Sequence, residues 1–149
     1  MLLRIRALLA TLWAGELLTV ALLAAPNAFA TLERAVAGRY VGRLFEMDAR
    51  FALVAGILLI LMERRLHRDG EVGGSAMSAG FLLPLLAIGF TAAGYYALEP
   101  MMEAARQGQG SWTFLQLHAV SLVFFGLRTL AVCVLAWRVM PRFASALRT

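Results

Sequence analysis

The chain has 149 residues, 61% of them hydrophobic and 15% charged, with a mean hydropathy of +0.75. Soluble domains are about half apolar and about one quarter charged, so this composition points to a membrane protein and leaves no room for a soluble catalytic domain. All 14 basic residues are arginine, which excludes a P-loop lysine, a Schiff-base lysine or a Ser-Lys dyad; against nine acids they leave a net charge of +5.

That positive charge does not imply nucleic acid, because the arginines edge apolar runs as membrane flanks do instead of clustering on one polar face. The single cysteine, Cys133, excludes an internal disulfide and reads as a small buried residue. Arginine-only, Ala/Leu-rich usage suggests a bacterial source.

A spanning helix needs about 20 mostly apolar residues, and four segments qualify as candidates: 7–29, 45–65, 76–98 and 114–137. The first carries only Glu16. Its flanks resemble a secretory signal, with Arg4 and Arg6 before an apolar stretch and Ala28-Phe29-Ala30 as an A-x-A site. The stretch is longer than the usual h-region of 7–15 residues and is interrupted by Glu16, so an uncleaved span is expected.

Residues 31–44 read as an interfacial amphipathic helix between spans one and two. Leu32, Val36, Tyr40 and Leu44 recur every four residues as an apolar stripe, while Arg39, Arg43, Glu46 and Arg50 form a polar one. The second span is the weakest, since its charge-free part covers only 51–62, and to cross it must place Glu46, Asp48 and Arg50 near one membrane face. A Gly/Ser-rich linker follows at 70–80. The third span is uncharged and contains Pro84, which is expected to kink it.

The fourth span carries His118 and Arg128. The fold class expected is therefore all-α: an integral membrane four-helix bundle in one domain, 1–149. Eight arginines on the side of the termini against five on the other favour cytoplasmic termini. Trp112, Trp137, Tyr95 and Tyr96 fall at predicted interfaces, as aromatic belts do.

Charged residues at membrane depth are costly, at least about 2.5–3.5 kcal/mol each, and face protein or water. Glu16 and Arg128 have matching depths, about 14–15 Å from the terminal side at 1.5 Å per residue, and are expected to pair. His118, Asp48, Glu46 and Tyr95 form a second candidate group, for ligand binding or proton handling. One imidazole with carboxylates could hold a divalent metal, and an imidazole alone a haem, but no cofactor is expected. Small residues mark close helix contact: Thr11, Gly15 and Thr19 in span one, Asp48, Ala52 and Gly56 in span two, and the pairs Gly38-xxx-Gly42 and Ala76-xxx-Gly80.

The pattern Trp-x-Gly, Ala-Pro-x-x-Phe-x-x-Leu, Ala-Gly, Leu-Phe and Phe-x-x-Leu-His-x-x-Ser falls on Trp13, Gly15, Ala25, Pro26, Phe29, Leu32, Ala37, Gly38, Leu44, Phe45, Phe114, Leu117, His118 and Ser121. In these residues the chain resembles the transmembrane protein 205-like family, a four-span domain of unknown function. The resemblance covers nearly the whole chain, although span three matches only in hydrophobicity. It implies no catalytic residues; a eukaryotic member is linked to platinum-drug resistance, which hints at metal or solute handling. A looser similarity runs to small helical bundles of the copper-resistance D-type and the membrane protoporphyrinogen-oxidase type, which use inward-facing histidines, but span one here has no histidine.

The expected function is that of a non-enzymatic bundle of the bacterial inner membrane, acting through packing, lipids, a homo-oligomer or a membrane partner. The alternatives are small-solute or metal transport through Glu16, Arg128 and His118, and a haem-dependent oxidoreductase.

Overall fold

A computed structural model describes residues 1–73, 75 and 77–140. Its described residues contain four long helices and no strand: α1 (Leu2–Thr31), α2 (Arg34–Arg68), α3 (Ala79–Arg106) and α4 (Phe114–Val139). Each packs on its neighbours in sequence, and α4 closes back on α1, so the bundle runs up-down-up-down around one core. The start of α1, the end of α2, the start of α3 and the end of α4 lie at one end, and the turns at 32–33 and 107–113 at the other.

Three of the helices, α1, α3 and α4, are long and apolar enough to cross a membrane. The fourth, α2, is different. It runs for 35 residues, about 52 Å at 1.5 Å per residue. The segment expected to be a separate interfacial helix is its first three turns, continuous with the second span. The face expected to be apolar also turns outward, with Leu32, Val36 and Tyr40 exposed. Ala37 and Val41 are buried instead, against Ala28, with Ala25 and Phe45 alongside. Alanine lets α1 and α2 approach closely, whereas the bulkier stripe has room only on the outside. The inward face continues through Asp48, Ala52, Ala55, Leu59, Glu63 and Leu66, at the three- and four-residue steps of a bundle helix.

Two stretches of π-helix interrupt the α-helical winding, Val20–Ala24 in α1 and Ala92–Ala97 in α3. Both come shortly before a proline, Pro26 and Pro100. A proline has no N–H for the preceding turn and crowds its carbonyl, and widening the turn accommodates both effects. Pro84, by contrast, is buried within regular α-helix, so the change of winding in α3 comes later than expected. Gly70, at φ +71°, ends α2, where Glu71 N–H donates back to the Leu66 carbonyl. A reciprocal cap between Thr113 and Gln116 starts α4.

The half of the bundle nearer the termini is a dry core built on Trp13, Leu17, Leu59, Val132 and Leu135, all at most 1% exposed. Close approach between helices depends on particular glycines in both halves. A methyl on Gly56 would lie 2.6 Å from Ile88 Cγ1, and one on Gly94 would lie 2.6 Å from Phe124 Cβ. Gly15 is exposed with nothing near it, and the hydroxyls of Thr11 and Thr19 bond carbonyls of their own helix, so the stripe read as packing faces away from the bundle.

Gly94→Ala is therefore expected to destabilise the protein by about 1–3 kcal/mol through overpacking. Gly15→Ala should stay within about 0.5 kcal/mol of wild type, as an outward-facing position does. Thermal unfolding in mild detergent separates the two; equal midpoints would contradict the packing.

Candidate functional site

Four polar side chains, one from each helix, lie at one level of the bundle. Counted from the turn end, Glu16, Asp48, Thr91 and Arg128 are each 14 or 15 residues in, about 21–23 Å along their axes. Arg128 and Asp48 are both 3% exposed and form a direct ion pair. The second arm of the guanidinium, Nη1, donates to Thr91 Oγ1 at 3.1 Å, and Thr91 in turn donates to the Ala87 carbonyl at 2.8 Å. The Phe125 ring lies 5.0 Å from the guanidinium carbon and covers it.

The partner of Arg128 is thus Asp48 rather than Glu16, the residue expected from depth alone. Glu16 is a neighbour of both, close enough to Asp48 for their carboxyl groups to interact. One oxygen of each acid, Glu16 Oε2 and Asp48 Oδ1, is buried without a protein partner.

Beyond this layer, toward the turn end, the bundle does not close. A cavity of about 480 Å³ opens between α2, α3 and α4 under the end of α1. Its floor is Asp48, Thr91 and Arg128, and its walls include Phe29, Phe45, Phe90, Tyr95, Phe114 and Phe125. Phe45 and Phe125 meet edge to face at 5.4 Å. Arg34, Glu99 and Arg106 stand at the rim. Arg106 is held by Glu103 at 2.8 Å and lies over Phe114 at 4.7 Å.

The cavity exists because side chains are missing. Gly38 and Gly42 line it, and a methyl added to either would meet nothing within 4 Å. The Gly38-xxx-Gly42 pair, read as a helix-packing motif, therefore opens space in this half of the bundle.

Of the sequence-predicted candidates, His118, Asp48 and Tyr95 share this cavity, as do Phe29, Gly38, Phe45 and Ser121. His118 stacks on Phe114 at 5.6 Å, and Ser121 donates to the Gly94 carbonyl at 3.0 Å, tying α4 to the π-helical turn of α3. Glu46 is not part of the group; it lies on the outer face of α2 between Arg43 and Arg50, paired with both. Trp13 is at the centre of the dry core, Pro26 is in the last turns of α1, and Gly15 points away. Among the described residues, no group of three or more His, Cys, Asp or Glu side chains could hold a metal ion. Ala76, Arg142 and Arg148 lie outside the described residues.

Sequence reading missed a second buried ion pair, Arg6 with Glu63, which closes the bundle at the terminal end. Ser78 Oγ donates to Glu63 Oε1 at 2.6 Å, and a methyl on Gly80 would collide with that carboxylate. Glu63 stands four residues after Leu59, in phase with the inward stripe of α2. Also missed were the rim residues Arg34, Glu99 and Arg106, which carry no distinguishing motif.

An all-helical bundle with a buried charge layer beneath an aromatic cavity is the class of protein defined here. The chain belongs to the family described as a domain of unknown function, DUF4149, whose model matches residues 8–111. That match takes in α1, α2 and α3 and stops before α4, which supplies Arg128 and His118. Comparison with curated proteins and with solved structures gave no match.

Removing one member of a buried ion pair costs about 3–5 kcal/mol, because the other charge is left uncompensated. The loss should be smaller for Asp48→Asn than for Arg128→Leu. Glu16 can still answer Arg128 when Asp48 is neutral, whereas without Arg128 two carboxylates remain with no cation. Unfolding midpoints of the two variants, each with and without Glu16→Gln, test this. If Glu16→Gln harms the Asp48→Asn protein no more than it harms wild type, Glu16 has no such role.

Proposed function

We propose that this chain is a four-span protein of the bacterial inner membrane with both termini in the cytoplasm, and that it binds rather than converts its ligand. In this reading a small, largely apolar molecule occupies the cavity above the Asp48–Arg128 pair. The single observation that carries it is that cavity, about 480 Å³ of largely apolar space bordered by several aromatic rings, beside the closely packed core around Trp13. Ligand sites are concave and mainly apolar, with a few polar groups that fix orientation, and they often lie between bundle helices.

Membrane insertion is supported by the three long apolar helices and by the large apolar side chains exposed on the outer faces, among them Leu8, Leu12, Leu22, Leu115 and Leu130. The arginine distribution supports the orientation. The likeness to the transmembrane protein 205-like family belongs to the same proposal and agrees with it in span number. Solute transport through a continuous conduit is less well supported, since the terminal half of the bundle is filled by Trp13, Leu17, Leu59 and Leu135 and latched by Arg6 and Glu63.

Gly42→Leu is the direct test. The added side chain enters open space, so the unfolding midpoint should stay within about 0.5 kcal/mol of wild type. Native mass spectrometry of protein purified in mild detergent should show a bound small molecule on the wild type that is absent from this variant. Identical adducts on both proteins would overturn the cavity as the binding site.

A further inference from the structure

We propose that Glu16 and Asp48 share one proton in the interior of the bundle, carried on Glu16 and donated to Asp48 Oδ1, so that the polar layer is a proton-binding site. This stands on the layer itself and does not depend on what occupies the cavity.

Charge balance is the first ground. The charged groups that act on Glu16 are Asp48 from α2 and Arg128 from α4, while α3 brings only the neutral Thr91. Toward the turn end the cavity lining adds Tyr95, four residues from Thr91, and His118, ten residues from Arg128. Toward the terminal end, Arg6 stands ten residues from Glu16, about 15 Å along α1, and is spent on Glu63. Two acids therefore face one cation. With both ionised, the layer would hold one uncompensated negative charge at a depth where water cannot answer it, and binding a proton is the less costly state.

Hydrogen bonding is the second ground. Glu16 Oε2 and Asp48 Oδ1 are both buried without a protein donor, and Asp48 as a whole is 3% exposed. The other oxygen of Asp48 is taken by Arg128, and Thr91 spends its hydroxyl proton on the Ala87 carbonyl. The two carboxyl groups lie close enough to hydrogen-bond to each other. As carboxylates they could only accept; one proton on Glu16 supplies the missing donor and satisfies both orphan oxygens at once. Arg128 Nε is also unpartnered, but a guanidinium carries a single charge however many N–H groups it presents, and Asp48 already answers it. A metal cation fits less well, since hard cations take about six oxygen ligands and the guanidinium would repel one.

Infrared spectroscopy of the full chain in maltoside micelles, which contribute no carbonyl band, tests the site. At neutral pH wild type should show the C=O stretch of a protonated carboxylic acid, with the downshift in heavy water that marks an exchangeable proton. Glu16→Gln should remove that band and keep the wild-type unfolding midpoint, because its amide N–H donates to Asp48 Oδ1 as the acid did. Asp48→Asn should remove it too, since Glu16 then ionises against Arg128. Glu46→Gln, on the outer face of α2, should leave it unchanged.

A wild type whose carboxyl groups are all ionised at neutral pH overturns the proposal, and that measurement stands even where a variant fails to fold. A band that survives Glu16→Gln overturns it as well. A band that survives Asp48→Asn places the proton on Glu16 alone and overturns the sharing.

Discussion

A guanidinium cannot enter an apolar helix bundle unless its charge is answered there, and Arg128 is the point from which the rest of this structure is arranged. Its position midway along α4 requires an acid at the same level, and Asp48 on α2 provides it. Its second arm reaches Thr91 on α3, so one side chain ties three helices together. Left alone, an ion at such depth would cost several kcal/mol; paired and hydrogen-bonded, it instead specifies which helices face each other and in what register. A second pair, Arg6 with Glu63, sets the register again at the terminal end.

The two halves of the bundle separated by this layer are built from opposite choices of side chain. Below it, Trp13 and leucines fill the space between helices, and Gly56 lets Ile88 press close. Above it, Gly38 and Gly42 leave α2 bare where it faces α3 and α4, and phenylalanines stand around the gap without filling it. The same residue type thus seals one half and opens the other. What differs is the distance of the facing helix, which the layer of charges and the widened turn at Ala92–Ala97 help to set.

Much of the architecture was legible from residue order. Apolar stretches of spanning length, separated by short polar segments, leave an all-helical bundle as the natural way to satisfy every backbone group, although only α1, α3 and α4 of the four expected spans are long and apolar enough to cross. The cost of Glu16 and Arg128 also marked them as facing protein. The partner choice was not legible, because Glu16 and Asp48 lie at equal depth and only the rotation of α1 and α2 about their axes decides which one points at Arg128. The same rotation decided that the apolar stripe at 31–44 turns outward while Ala37 and Val41 meet the neighbouring helix. Periodicity identifies faces, but the bulk of Val36 and Tyr40 against the smallness of Ala37 decides which face a close neighbour can accept.

The sequence by itself determined the helical class, the apolar character of most of its long helices and the presence of costly charges midway along them, since these follow from composition and from the periods of a helix. Only the tertiary structure decided that Asp48 answers Arg128, that Glu63 is buried against Arg6, and that Gly38 and Gly42 border a cavity instead of a contact. Those outcomes depend on the rotation and spacing of helices far apart in the chain, and a local pattern of residues carries no information about the distance to a neighbour it does not yet touch.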